Sequence, residues 1–339
     1  SINNDNYENF ILKKGDIVFA RTGATVGKTY LYDGKDGELV FAGYLIRFRP
    51  NEKILLTKHL KFYTSSKPYW DWVKMVSMRS GQPGINAEEY GSLKLPLPPL
   101  PEQEAIAQIL STWDKAIETT QKIIVQKEQR KKWMMQMLLT GKKRLKGFDG
   151  EWKKLGAGEI FKSVSVKGFD DEELLSATQD KGIIPRSMLD ARVTMPTGKT
   201  TLFKLAEKGD FVISLRSFQG GLEYSYYRGI VSPAYTVLKF KKQINDEFYK
   251  QYFKSYNFIG HLSVAVIGIR DGKQISYDDF CIVKIPYPSI KEQIAIAAVL
   301  QTADNEIQLL KNKSEKLKEQ KKGLMQQLLT GKKRLILNK

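Results

Sequence analysis

"LPLPPLPEQEAIAQILSTWDKAIE" (95–118) and "IPYPSIKEQIAIAAVLQTADNEIQ" (285–308) are two versions of one segment, 190 residues apart. Carried on to "MMQMLLTGKKRL" and "LMQQLLTGKKRL", the two copies share 23 identities in 51 aligned positions. The match also runs backward. "GINAEEYGSLKLPLP" (84–98) answers "KQISYDDFCIVKIPYP" (273–288), and "KKGDIVFAR" near 13 answers "EKGDFVISLR" near 207. A repeat of this length sets the architecture before any local reading. The chain reads as globular unit, helix, globular unit, helix. Residues 151 to about 194 have no counterpart ahead of Ser1, so the first unit is expected to begin partway through the repeat.

Each repeated segment has the punctuation of a long helix. Pro96, Pro98 and Pro99 hold the chain extended ahead of the first, and Pro101 suits a first helical turn, where its missing N–H is harmless. Ser289 and Glu292 open the second with the spacing of a capping box. Gly141 and Gly331 stand where a left-handed residue would end each helix, followed by basic residues. About 39 residues lie between these limits, roughly 58 Å at 1.5 Å per residue.

A narrow seam of alternating three- and four-residue steps runs down both helices. In the second it is Leu300, Ala303, Ile307, Leu310, Ser314, Leu317, Lys321, Leu324 and Leu328. In the first it is Leu110, Trp113, Ile117, Thr120, Ile124, Lys127, Lys131, Met134 and Leu138. Such a seam asks for a partner helix. Both seams weaken toward their C-terminal halves, so antiparallel pairing sets each weak half against a stronger one, whereas parallel pairing would align the basic halves. The expected fold is α+β: two mixed α/β domains separated by two long helices in an antiparallel coiled coil, related by an internal pseudo-twofold. The expected divisions are an incomplete first domain over 1–98, a first long helix over 99–145, a second domain over 146–288 and a second long helix over 289–339. Strand-like runs such as "DIVFAR", "YLIRFR", "DFVISLR", "YTVLKF" and "CIVKIP" alternate with glycine turns, and "KHLKFYTSS" and "DEFYKQYFKSY" read as short helices.

The net charge of +18 points to a polyanionic partner. Residues 121–146 carry nine Lys/Arg against one acid, and residues 308–339 carry ten against two, so nearly all the excess lies in these two segments. The bland reading of both runs is the solvated outer face of a coiled coil. One cysteine, Cys281, excludes a disulfide framework, and two histidines, His59 and His261, exclude a Cys/His zinc cluster. Cys281 reads as a packing residue in the strand "DFCIVKI". No apolar run reaches the roughly 18 to 20 residues that span a bilayer, which leads to the expectation of a cytoplasmic protein.

"RTGATVGKTY" (21–30) resembles a phosphate-binding loop only superficially. Three residues separate Gly23 from Gly27, where that loop needs four, and no amphipathic helix follows. The stretch reads as a glycine turn between two strands that projects Arg21. The paired acids Glu88-Glu89 and Asp278-Asp279 recur at one repeat position and read as helix-start residues rather than as catalytic groups.

The "P-x-P-P-L-x-E-Q-x-A-I" opening, the heptad helix ending "LLTGKKRL", the "GDIVFARTG" strand and turn, and their duplication together resemble the specificity subunit of Type I restriction-modification enzymes. The resemblance implies two target recognition domains, each reading half of a split duplex DNA site, with the helices fixing the unread spacer. It implies a chain that catalyses nothing and binds no cofactor itself. Two modification subunits would bring S-adenosylmethionine for adenine N6 methylation, and restriction/motor subunits would bring ATP and Mg. A self-contained DNA methyltransferase or nuclease is the rival reading, but no Asn/Asp-Pro-Pro-Tyr/Phe loop is present. A coiled-coil adaptor without a nucleic-acid role is the third.

Base reading would fall to Arg, Gln and hydroxyl side chains on Gly-rich loops, because Arg grips guanine and Gln grips adenine through paired hydrogen bonds. In the first unit these are Arg21, Thr22, Arg79, Ser80 and Gln82. In the second they are Thr178, Gln179, Arg216, Ser217, Gln219, Arg270, Lys273 and Gln274. For each residue, a structural or solvated role is the alternative. Tyr224, Tyr226 and Tyr227 read as edge-strand packing.

Overall fold

The computed structural model describes residues 7–189, 200–215, 217–265 and 275–336. Two helices of 39 residues dominate the order of elements, α4 (Leu100–Leu138) and α10 (Ile290–Leu328). Contacts divide the chain into two compact units, residues 1–124 with 309–339, and residues 125–308. Each unit therefore holds the first part of one long helix and the last part of the other.

Within each unit the helices run antiparallel. In the first, Asp114 pairs with Lys321 at 2.6 Å and Glu102 with Arg334 at 2.6 Å, so the numbering falls on α10 as it rises on α4. In the second, Lys127 pairs with Glu306 at 2.5 Å, Lys131 with Asp304 at 2.6 Å and Arg144 with Glu292 at 2.5 Å. Seam residues Leu110, Thr120, Leu138, Leu300, Ile307, Ser314 and Leu328 are buried. Trp113, Ile117, Ile124, Met134, Ala303, Leu310, Leu317 and Leu324 are half-buried. The seam lysines Lys127, Lys131 and Lys321 meet acids of the facing helix, so part of each basic run is neutralised inside the pair.

The repeated Glu-Gln and Gly-Lys-Lys-Arg motifs close the helix ends on one another. Glu292 is buried and grips Arg144 through two hydrogen bonds of 2.5 and 2.7 Å, and the Trp152 indole N–H donates to it at 2.9 Å. This corrects the capping-box expectation: the Ser289 hydroxyl does accept from the Glu292 N–H at 3.3 Å, but the Glu292 carboxylate is turned to Arg144 and Trp152. Glu102 is clamped likewise by Arg334, with the Leu335 N–H donating at 3.0 Å. Gln103 accepts from the Leu56 N–H and donates to the Pro98 carbonyl, while Gln293 does the same with Asn245 and Pro288. Gly141 and Gly331 both adopt φ of 71°, and the N–H two residues beyond each reaches back to the helix, to Met137 and Gln327.

Hydrogen bonds from Arg334 hold the Glu102 carboxyl below its ordinary value near 4.5. A carboxylate depressed in the folded state stabilises above its unfolded pKa, and that contribution is lost as pH falls through the folded value. The stability gap between the wild type and Glu102→Gln, read from urea midpoints, therefore narrows as pH falls from about 6 to about 3. A gap that stays constant would show the carboxylate is not engaged.

In the first unit β1 (Ile17–Ala20) pairs antiparallel with β2 (Thr29–Leu31) and β3 (Leu45–Phe48), in the order β2-β1-β3. Helices α1 (Thr57–Tyr63), α2 (Lys67–Val76) and α3 (Ala87–Gly91) complete it. Its core joins Ile17, Phe19, Tyr69 and Val73 to Ile106 and Leu110 of α4 and Met325 and Leu328 of α10.

The second unit has β4 (Lys153–Gly156), α5 (Ala157–Ile160), β5 (Phe161–Val164), β6 (Leu175–Thr178), β7 (Gly182–Pro185), β8 (Lys204–Ala206) and β9 (Phe211–Ile213). It continues through α6 (Ser217–Gly220), β10 (Glu223–Tyr224), β11 (Gly229–Val231), β12 (Thr236–Phe240), α7 (Asp246–Phe253), α8 (Tyr256–Ala265), α9 (Tyr277–Ile282) and β13 (Lys284–Tyr287). Its main sheet has the order β10-β9-β12-β5, so β9, β10 and β12 correspond to β1, β2 and β3. An aromatic core of Phe161, Phe211, Phe248, Tyr249 and Phe253 packs on Leu138, Ile296 and Leu300. Cys281 corrects the sequence reading. It sits half-buried on α9 rather than in a strand, its sulfur close to Gly158. The paired acids prove to be helix starters: Asn86 with Glu89 and Ser276 with Asp279 form reciprocal capping boxes.

Candidate nucleic-acid interface

The opening glycine loop of the first unit is a short helical turn between β1 and β2, and the chain runs from Gly27 into a strand. Gly23 and Gly27 have φ of 75° and 84°. A β-carbon at Gly27 would stand 2.6 Å from the Val73 side chain, and the Tyr69 hydroxyl donates to the Gly27 carbonyl at 2.6 Å. These glycines thus serve a packed hairpin. With no helix N-terminus behind them, they offer no phosphate cradle.

The structure brings the two candidate loops of this unit together. Thr22 bridges Gly84, the Gly23 N–H donates to the Pro83 carbonyl at 3.0 Å, and the Ile85 N–H donates to the Arg21 carbonyl at 2.8 Å. Arg21, Thr22 and Arg79 line an open concavity of about 500 Å³ with Tyr44, Asn86 and Glu89. The Arg21 guanidinium is exposed and makes no hydrogen bond among the described residues. Arg79 is tethered by an ion pair with Glu89 and hydrogen bonds to the Val76 and Met78 carbonyls. Gln82 lies over Gly23, and Ser80 is exposed. Tyr44, 63% exposed at the rim, was invisible in sequence, because an aromatic residue beside a strand carries no sign of facing outward.

In the second unit Gln179 meets the α6 loop, its side chain about 3.2 Å from where a β-carbon of Gly220 would be. Lys254 ties the two loops, donating to the Gln179 carbonyl at 3.3 Å and the Gly220 carbonyl at 3.0 Å, and pairing with buried Glu223 at 2.6 Å. Burial pushes the Glu223 carboxyl up, against the pull of Lys254. Sequence reasoning missed both Lys254 and Glu223, since an ion pair 31 residues apart leaves no local signal. Gln219 is exposed beside this junction. Two expectations are corrected. Ser217 is fully buried and accepts from the Ser214 N–H at 2.8 Å, so its hydroxyl caps a turn and cannot reach a base. The Thr178 hydroxyl is committed to its own hairpin, donating to the Gly182 carbonyl and accepting from the Lys181 N–H. Arg216, Arg270, Lys273 and Gln274 lie outside the described residues. Tyr224 packs on edge strand β10, its hydroxyl donating to Asp246 at 2.5 Å.

Among the described residues no group of three or more His, Cys, Asp or Glu is placed to hold a metal ion, and no helix is long and apolar enough to cross a membrane.

Comparison with known proteins also finds the chain duplicated. Two stretches, 2–129 and 150–319, match the model of the Type I restriction modification DNA specificity domain. Two Methanocaldococcus jannaschii chains, named as type I restriction enzyme MjaX and MjaVIII specificity subunits, are each 28% identical. The matches cover 94% of this chain and 78% of the first relative, and 95% and 80% for the second. Among solved structures, the HsdS subunit from Thermoanaerobacter tengcongensis superposes with a TM-score of 0.56 at 17% identity, over 95% of this chain and 82% of that one. The S subunit from M. genitalium gives 0.55 at 16% identity, over 93% and 83%. At such identities the solved structures establish the fold, while the two matched domains, which together fill most of the chain, establish the lineage: the chain belongs to the family of Type I restriction-modification DNA specificity proteins.

Proposed function

We propose that the chain reads a two-part site in duplex DNA, one half per unit, and performs no chemistry itself. The observation that carries this reading is the duplication of one scaffold. Each unit sets a strand, β1 or β9, ahead of a loop held against a second Gly-rich loop, and exposes polar side chains there: Arg21 in one, Gln219 in the other. Discrimination belongs to these loops because contacts to phosphate position a protein whereas contacts to base edges choose the sequence. Exposed Arg130, Lys132, Lys142 and Lys322, which the helix pair leaves in solvent, suit the phosphate backbone or the acidic surface of a partner. Two modification subunits carrying S-adenosylmethionine would then methylate adenine, and ATP- and Mg-dependent restriction subunits would complete the assembly in the cytoplasm.

Methylated adenines mapped in cells that express the chain with its modification partner will define a split motif. Exchanging residues 151–284 for those of a relative will rewrite one half of that motif and leave the other intact. A continuous motif, or a swap that alters both halves, would overturn the reading.

A further inference from the structure

In the second unit the exposed glutamines Gln179 and Gln219 sit on two loops that a single ammonium group holds. Lys254 follows directly on α7, and all three of its N–H donors are committed. They reach the Gln179 carbonyl on the hairpin between β6 and β7 at 3.3 Å, the Gly220 carbonyl on α6 at 3.0 Å and the Glu223 carboxylate on β10 at 2.6 Å. Glu223 is 2% exposed, and its second oxygen has no hydrogen-bond partner among the described residues. The α6 turn also lies hard against the end of α7: at Gly221, where φ is 74°, a β-carbon would stand 1.8 Å from the Phe253 carbonyl oxygen.

The repeat separates what the scaffold needs from what this unit adds. Tyr30 stands where Glu223 does, because Val18 faces Tyr30 in the first sheet as Val212 faces Glu223 in the second. Ser65 stands where Lys254 does, each nine residues beyond the N–H that bonds the repeated glutamine, at Leu56 and Asn245. The first unit thus builds the same strand pair and helix with no ion pair at these positions. Stability is a poor reason for the pair as well, since desolvation offsets the attraction of buried charges and a packed apolar pair does as much. What an ammonium supplies and an apolar side chain cannot is direction: it fixes three oxygens, on three elements, about one point.

We infer that Lys254 and Glu223 form a positioning pair that holds the hairpin after β6 and the α6 turn at one separation, so that Gln179 and Gln219 meet the base edges of the second half-site in register. The inference rests on the reading of this unit as a base reader. A Gln recognises adenine through two hydrogen bonds made together, and a loop displaced by about an ångström makes one of them or neither.

Competition binding tests this, with the chain in complex with its modification partner and duplexes that carry the split motif with single-letter changes in either half. The wild type is expected to penalise changes in both halves; indifference to either half overturns the two-part reading and the inference with it. Lys254→Met combined with Glu223→Leu replaces the ion pair by an apolar one and melts close to the wild type. Its penalty for changes in the second half is expected to fall about 10- to 100-fold, the worth of one two-bonded contact, while the first-half penalty stays the same. Lys254→Met alone, with folding verified by circular dichroism, shows the same loss at a lower melting temperature. Either folded variant discriminating the second half as sharply as the wild type overturns the inference, because the pair then only packs. Loss of selectivity in both halves together overturns it too.

Discussion

Arg144→Ala destabilises the second unit by about 3–5 kcal/mol, because it strands a buried carboxylate with only the Trp152 N–H for company. For a unit of this size the expected fall in melting temperature is about 10 °C. The double replacement Arg144→Met with Glu292→Leu recovers most of the loss, since removing both charges eliminates the desolvation cost as well as the attraction. Arg334→Ala costs less, because the Arg334 side chain is 61% exposed and its attraction to Glu102 is screened by water. Thermal melts of the three variants decide the matter. An Arg144→Ala protein that melts with the wild type would remove the clamp from the list of stabilising contacts.

A heptad inserted into both long helices, after Gln126 and after Gln308, lengthens the unread spacer of the methylated motif by about three base pairs. Seven residues at 1.5 Å rise add roughly 10 Å, and base pairs follow at about 3.4 Å. Seven is the right number because it preserves the three-and-four seam of Ile124, Lys127, Ile307 and Leu310. The letters of both half-sites stay unchanged, since no loop residue is touched. A heptad in one helix only leaves seven residues without a facing seam, and methylation is lost. Adenine mapping reads both outcomes, and an unaltered spacer in the doubly extended chain would show that the helices do not set it.

Much of this was legible in the residues. Duplication of the "EQ" and "LLTGKKRL" motifs gave the domain count, and a seam of three- and four-residue steps gave two long helices and their antiparallel pairing. Helix starts were readable from proline and Ser289, but the expected long-helix segments over 99–145 and 289–339 are corrected: the helices end at Leu138 and Leu328, where the turns at Gly141 and Gly331 stop them. The site was only partly legible. Arg21 and Thr22 could be named as candidates because a glycine turn after a strand is a local pattern. Ser217 and Thr178 were misjudged because a hydroxyl looks the same in sequence whether it faces DNA or caps its own turn.

The sequence alone determined the repeat, the helix pair and the charge carried along it, since periodicity, proline and glycine act on the backbone within a few residues. Only the tertiary structure decided what the repeated motifs are for. Glu102 finds Arg334 and Glu292 finds Arg144 across 232 and 148 residues, and Lys254 joins two loops it does not neighbour in the chain. Hydrogen bonds and ion pairs act over a few ångströms in space, so no spacing along the chain could announce them.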